Sequence, residues 1–152
     1  MYVYRIVKSE KRTEDLSGMG AFRAGGRWND KGTYVLYTSE NSSLAFLENL
    51  VHFDAGETPE DLYVMEISVQ NENLIFQIPD SDYPRDWLNT DNLACKRLGD
   101  QLLSDHKILG IKVRSAVNQS EYNILLDPLF PGYHDLIKVV NVVNVPVDMR
   151  LT

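Results

Sequence analysis

An α+β fold built on a mixed or antiparallel sheet is predicted by three observations. Runs rich in β-branched and aromatic residues outnumber the helical segments, of which only two are substantial. The connections are long, and several carry acidic residues and proline, unlike the short turns of regular βαβ alternation. No repeat period or low-complexity linker divides the chain, so one domain spanning residues 1–152 is expected.

Tyr2-Val-Tyr-Arg-Ile-Val7 reads as the first strand, followed by a polar stretch to Asp15. A glycine-rich loop comes next, in which Gly18, Gly20, Gly25, Gly26 and Gly32 supply sharp turns or close approach to a ligand. Tyr34–Thr38 is the second strand. It leads into a helix capped by Asn41, Ser42 or Ser43 and continuing to about Phe53. A long strand is expected over 62–69 and a short one near 73–77, then a loop bearing proline and aspartate through Pro84. Leu93, Ala94, Leu98 and Leu102 recur at helical spacing between about Thr90 and Ser104. Strands at Leu109–Val113, Tyr122–Leu126 and Leu136–Val140, with a further piece at Val143–Val147, complete the pattern.

With 152 residues, 43% hydrophobic and 24% charged, the chain can bury a core without disulfides or a structural metal. Its N-terminus lacks the basic and apolar regions of a secretory signal, and no run approaches the roughly 20 apolar residues of a membrane helix, so a cytoplasmic location is expected. Cys95, the sole cysteine, is read as helix packing, and no metal is expected. A net charge of −7 argues against direct nucleic-acid binding. The charge is uneven: residues 1–31 hold seven basic and four acidic side chains, while the remainder is strongly acidic. A small anion could therefore be held by the opening segment.

General motifs fail. Gly18-Met-Gly20 lacks the third glycine of a dinucleotide fingerprint, Arg23 standing there, and the residues after it are not expected to open a helix. There is no Gly-Lys-Ser/Thr phosphate loop. His52, His106 and His134 lack metal-ligand spacing and are read as structural or solvent-exposed, and Ser115 has no nucleophile elbow.

What remains is Gly25-Gly-Arg-Trp-Asn29, then Tyr34–Ser39, then a helix bearing Glu48. Arg27 suits bidentate phosphate contact, or an ordinary surface ion pair. Tyr37 suits stacking on a planar heterocycle, or half-burial in a sheet. Glu48 lies beside Leu44, between an apolar arc and a polar stripe of Ala45, Asn49 and His52. Periodicity makes it a solvated glutamate; facing a cleft, it could stabilise an oxocarbenium-like transition state.

Several blocks in order, Tyr4-Arg5-Ile-Val, Leu16-Ser-Gly-Met-Gly-Ala21, Gly25–Asn29, Val35–Ser39, Leu44-Ala-Phe-Leu-Glu48, Val113–Val117 and Glu121–Pro128, resemble the RES domain of RES–Xre toxin–antitoxin modules. That family is named for its arginine, glutamate and serine, which correspond here to Arg27, Glu48 and Ser115, with Tyr37 matching a tyrosine of the same pocket. The resemblance implies a split β structure similar to ADP-ribosyltransferases, which bind NAD in a cleft and cleave its nicotinamide–ribose bond. It implies that Arg27 grips a phosphate, Tyr37 packs on the nicotinamide or its ribose, and Glu48 orients ribose hydroxyls and stabilises the developing cation. Ser115 would position Arg27 or substrate and not act as a nucleophile, and Arg5 would be a second phosphate contact.

By the same resemblance the chain is a growth-inhibiting toxin that hydrolyses NAD and is silenced by an Xre-type helix-turn-helix antitoxin, through which any DNA contact would run. A homodimer stands open. Phosphorolysis, ADP-ribosylation of a host protein, and non-catalytic binding of nucleotide or antitoxin are the competing readings. Two departures bear on the loop geometry: Arg114 stands where the family commonly has proline, and Asp127 where asparagine is frequent.

Overall fold

The computed structural model describes residues 1–51, 61–148 and 150. Its strands are β1 (Tyr2–Val7), β2 (Leu36–Ser39), β3 (Asp61–Val69), β4 (Ile75–Gln77), β5 (Gly110–Arg114), β6 (Tyr122–Leu126) and β7 (Ile137–Pro146). The helices are α1 (Met19–Ala24), α2 (Ser42–Leu50), α3 (Leu93–Leu103) and the single turn α4 (Tyr133–Leu136). The strands form one sheet in the order β4-β5-β6-β2-β1-β3-β7, in which β4 and β5 are parallel and every other pair antiparallel. The mixed α+β architecture expected from the sequence is the one observed.

The sheet is split near its middle. All six residues of β1 pair with β3, and all four of β2 pair with β6, yet β1 and β2 meet only at Tyr4↔Ser39. Two half-sheets, β4-β5-β6-β2 and β1-β3-β7, therefore share one register position and diverge beyond it.

Period-2 patterning explains how each face of the sheet finds its core, the first cluster running under both halves. Val3 and Val7 of β1 join Leu36, Met65, Ile67 and Tyr133 in a buried cluster on one face. Ile6, on the other, joins Leu62, Val64 and Ala45 of α2. A third cluster gathers Trp28, Cys95, Leu103, Ile111 and Leu125 between α3 and the β5-β6-β2 half. Full burial of side chains such as Leu103 and Ile111 stabilises by roughly 1.5–3 kcal/mol each.

Several boundaries differ from the sequence expectation. Met19–Ala24 does form a short helix, contrary to the reading of the glycine-rich loop; Phe22 stacks on Tyr34 with ring centroids 4.2 Å apart, so tertiary packing supplies what six residues cannot. Eleven residues separate it from the end of β1, so it is no strand–turn–helix dinucleotide element. Tyr34 and Val35 precede β2 instead of opening it. Asn41 is the cap of α2, its side chain accepting from the Leu44 N–H at 2.8 Å. The expected helix end near Phe53, like His52, lies outside the described residues. In α3 the buried stripe runs through Cys95, Gly99 and Leu103, and Leu93 is exposed. The two C-terminal pieces are one strand, β7, in which a bulge near Val140 shifts the register against β3.

Candidate active site

The divergence of β1 from β2 opens a cleft of about 610 Å³, within the size range of small-molecule sites. Arg5, Arg27, Tyr37 and Glu48 all line it, and Lys8, Lys96 and Arg114 add further positive charge to its walls. Basic side chains thus outnumber the two acidic ones in the lining, Glu48 and Asp91, although the chain as a whole is acidic.

Arg27 sits at the tip of a tight turn closed by the Gly26 N–H donating to the Asn29 carbonyl at 3.0 Å. The turn is held from inside. Trp28 is buried edge-on against Tyr83, and the Asn29 amide, with no exposure, donates to the carbonyls of Ala21, Asp30 and Thr33. Lys96 of α3 donates to the Gly26 carbonyl at 2.6 Å. Both hydrogen bonds of Arg27 among the described residues run through Nη1, to the carbonyls of Trp87 at 2.8 Å and Asn89 at 3.2 Å. One edge of the guanidinium is fixed, and Nε with Nη2 is left for an anion.

The Tyr37 hydroxyl accepts from the Trp28 N–H at 3.0 Å and donates to Asn29 Oδ1 at 2.7 Å. Burial pushes its pKa far above the ordinary tyrosine value, so the phenol stays a neutral donor. Only glycine fits at 26, since a Cβ there would lie 2.5 Å from that hydroxyl. Arg5 closes the other side. Its Nη1 donates to the Tyr37 carbonyl at 3.0 Å, spanning the gap where the β1–β2 ladder has ended. Its Nε is buried without a partner among the described residues, and burial followed by the nearby Arg12 lowers its pKa.

Glu48 is half-buried on the second turn of α2. Its Oε1 accepts from the Ser115 hydroxyl at 2.6 Å and from Asn123 Nδ2 at 2.8 Å. The resemblance implies that Ser115 positions Arg27 or substrate; its side-chain partner among the described residues is Glu48. It is fully buried behind that carboxylate, and its oxygen accepts from the N–H groups of Val117 at 3.1 Å and Asn118 at 3.0 Å. With both lone pairs and its proton committed, this hydroxyl lacks the free geometry of a nucleophile.

The two departures have local explanations. The Arg114 N–H donates to the Tyr83 hydroxyl at 2.7 Å, a bond that proline could not make. Its guanidinium grips Asp80 at 2.8 and 3.0 Å, holding that carboxyl below the usual carboxylate range, and donates to the Gln119 carbonyl. Arg114 thus ties the 79–84 loop to the Ser115 loop. We expect Arg114→Pro to lower the melting temperature by a few degrees more than Arg114→Ala, reflecting about 1 kcal/mol for the lost backbone bond; thermal unfolding of both variants checks this. Asp127, almost fully buried, faces His106 Nδ1 at 2.6 Å and accepts from the Leu129 N–H, away from the cleft. His134 packs edge-on against Tyr133.

Sequence reasoning missed Asn123, Asn29 and Lys96. Asn123 and Asn29 lay within the quoted blocks without a role; Lys96 carried no signal, because a lysine on an amphipathic helix reads as solvated. Among the described residues no cluster of three or more His, Cys, Asp or Glu could hold a metal, and no helix is long and apolar enough to cross a membrane.

Comparison with known proteins places this geometry. The chain is 31% identical over 152 residues to a protein of Yersinia enterocolitica named Toxin Res, covering 99% of both. It is 31% identical over 121 residues to a Sphingobium protein named Prs ADP-ribosylating toxin, covering 78% of this chain and 75% of that one. Its fold is similar to a chain in the crystal structure of the M. tuberculosis MbcT–MbcA toxin–antitoxin complex, with a TM-score of 0.71 at 19% identity over 95% of this chain and 84% of that one. The RES domain model matches residues 2–148. Matched almost end to end by that model and aligned along its full length with a protein named as a Res toxin, the chain belongs to the RES-domain family.

Proposed function

We propose that this RES domain is the toxin of a toxin–antitoxin pair and that it cleaves the nicotinamide–ribose bond of NAD, with water as the acceptor. The observation that carries the reading is Glu48: a carboxylate held by two donors on one oxygen, in the wall of a cleft otherwise rich in cations. A site built only to bind an anion gains nothing from a carboxylate there; a site that must stabilise a developing ribosyl cation does.

In this scheme Arg27 and Arg5 take the pyrophosphate, and Tyr37 packs against the nicotinamide riboside. The C1′–N bond breaks with its electron pair passing to the nicotinamide nitrogen, which becomes neutral. Glu48 stabilises the cation on the ribose. Water adds at C1′ and loses a proton, giving ADP-ribose and nicotinamide. The name of the Sphingobium relative supports a second acceptor, a protein side chain, and phosphate is a third. The toxin–antitoxin complex among the structural neighbours supports a silencing partner, for which an Xre-type helix-turn-helix protein is our reading; cytoplasmic action on the NAD pool accords with it.

The test is to incubate the purified, antitoxin-free protein with NAD and follow nicotinamide, with and without phosphate. Release without phosphate, with free ADP-ribose as co-product, is expected. Release that requires phosphate makes it a phosphorylase, and no release without an added protein acceptor points to a transferase. Ser115→Ala should retain the fold and slow turnover by up to about 100-fold through a loosened Glu48. Mass spectrometry should find no ADP-ribose on Ser115 in the wild type; such an adduct would overturn its supporting role.

A further inference from the structure

Glu48 is gripped by one oxygen only. Both of its hydrogen bonds among the described residues fall on Oε1, one from Ser115 and one from Asn123. We propose that Asn123 is a positioning residue which, backed by Ser39, locks Oε1 of Glu48 and thereby turns Oε2 toward the ligand. The inference deepens the NAD-cleaving reading and rests on it.

The chain of donors is fixed by chemistry. A carboxylate can only accept, so the Asn123 amide must present Nδ2 to Glu48, and its Oδ1 is left facing Ser39. The Ser39 hydroxyl donates to that Oδ1 at 2.8 Å. Ser39 and Asn123 are opposite each other in the β2–β6 ladder, and Ser39 is also the residue through which β2 meets Tyr4 of β1. The relay therefore starts at the apex of the split, where the backbone is paired on both sides, and ends on the carboxylate. Asparagine is a poor strand residue, and its neighbours Ile124 and Leu125 are fully buried aliphatics. A side chain there that served only the sheet would not need an amide.

The test compares wild type, Asn123→Ala, Asn123→Asp and a control, Asn144→Asp, on the exposed strand β7. Asn123→Asp places a second carboxylate against Oε1 and removes the donor. We expect kcat for nicotinamide release to fall by about 100-fold near neutral pH with KM within about threefold, and to recover toward low pH, where a proton shared between the two carboxylates restores a bond. Asn123→Ala should lose up to about 100-fold without acid recovery, and the control should match wild type. A wild-type pH profile in Asn123→Asp, or a loss carried by KM alone, overturns the proposal. A second readout needs no turnover: the Glu48 carboxyl ¹³C resonance, identified by its absence in Glu48→Gln, moves in both Asn123 variants and not in the control. If it does not move, Asn123 does not hold Glu48. If it moves while the wild type releases no nicotinamide, the positioning stands and the NAD reading falls.

Discussion

Glu48→Gln should fold as the wild type does and release nicotinamide at least 10²–10³-fold more slowly, the scale on which removing one preorganised electrostatic stabiliser acts. The glutamine oxygen can still accept from Ser115 and Asn123, so the substitution removes charge while sparing the hydrogen bonds that hold the side chain. Affinity for NAD should stay within a few-fold, because the glutamine can still hydrogen-bond the ribose hydroxyls while the lost charge acts on the cation that forms as the bond breaks. Glu48→Asp, shorter by one methylene, should lose both bonds to Oε1 and fall nearly as far. Turnover by folded Glu48→Gln equal to wild type would remove the carboxylate from the mechanism.

Gly99→Ala should be damaging although Gly99 does not line the cleft. In an ordinary helix this change stabilises by roughly 1 kcal/mol. Here a Cβ would lie 1.8 Å from the Trp28 carbonyl oxygen and 2.8 Å from its carbon, backbone atoms that cannot swing aside. Either α3 retreats, stripping Cys95 and Leu103 from their core, or the turn carrying Arg27 is pushed outward. We expect about 1–3 kcal/mol or more of destabilisation, together with loss of turnover at temperatures where the variant is still folded. Thermal melting and nicotinamide release measured side by side check both halves; a variant as stable and active as wild type would mean that α3 does not hold the Arg27 turn.

The parts of the fold legible in the sequence are those where local preference and tertiary burial agree. Tyr2–Val7 and Tyr122–Leu126 match β1 and β6 because their apolar residues meet buried clusters, on both faces in the case of Ile124, Leu125 and Leu126. Asn41 was one of three cap candidates, and only the backbone decides which side chain reaches the Leu44 N–H. Met19–Ala24 is illegible because Gly20 within it and Gly18 and Gly25 at its ends weaken the helix signal, and the Phe22–Tyr34 stack that supports it is not local. The buried stripe of α3 was displaced because Gly99, invisible to any hydrophobic periodicity, is the contact residue, while Leu93 faces solvent. At the site, the sequence singles out Arg5, Arg27, Tyr37 and Glu48, and these four line one cleft. What Ser115 touches, and that Asn123 matters, depends on the β5–β6 and β2–β6 registers, which no one-dimensional pattern encodes.

The single β1–β2 register pair also bears on how long such a molecule persists. At the cleft the two half-sheets are joined by Tyr4↔Ser39 and by the Arg5 strut to Tyr37, in addition to the buried cluster they share, from Val3 and Val7 through Leu36 to Ile124 and Leu126. A dinucleotide gripped from both sides acts as a removable brace, and by mass action a ligand at a hundred times its Kd contributes about 2.7 kcal/mol to the folded state. On the proposed chemistry that brace is the molecule being destroyed. As the NAD pool drains, that increment of stability is withdrawn, so on the proposed chemistry the protein's own turnover leaves it less resistant to unfolding than its NAD-bound form.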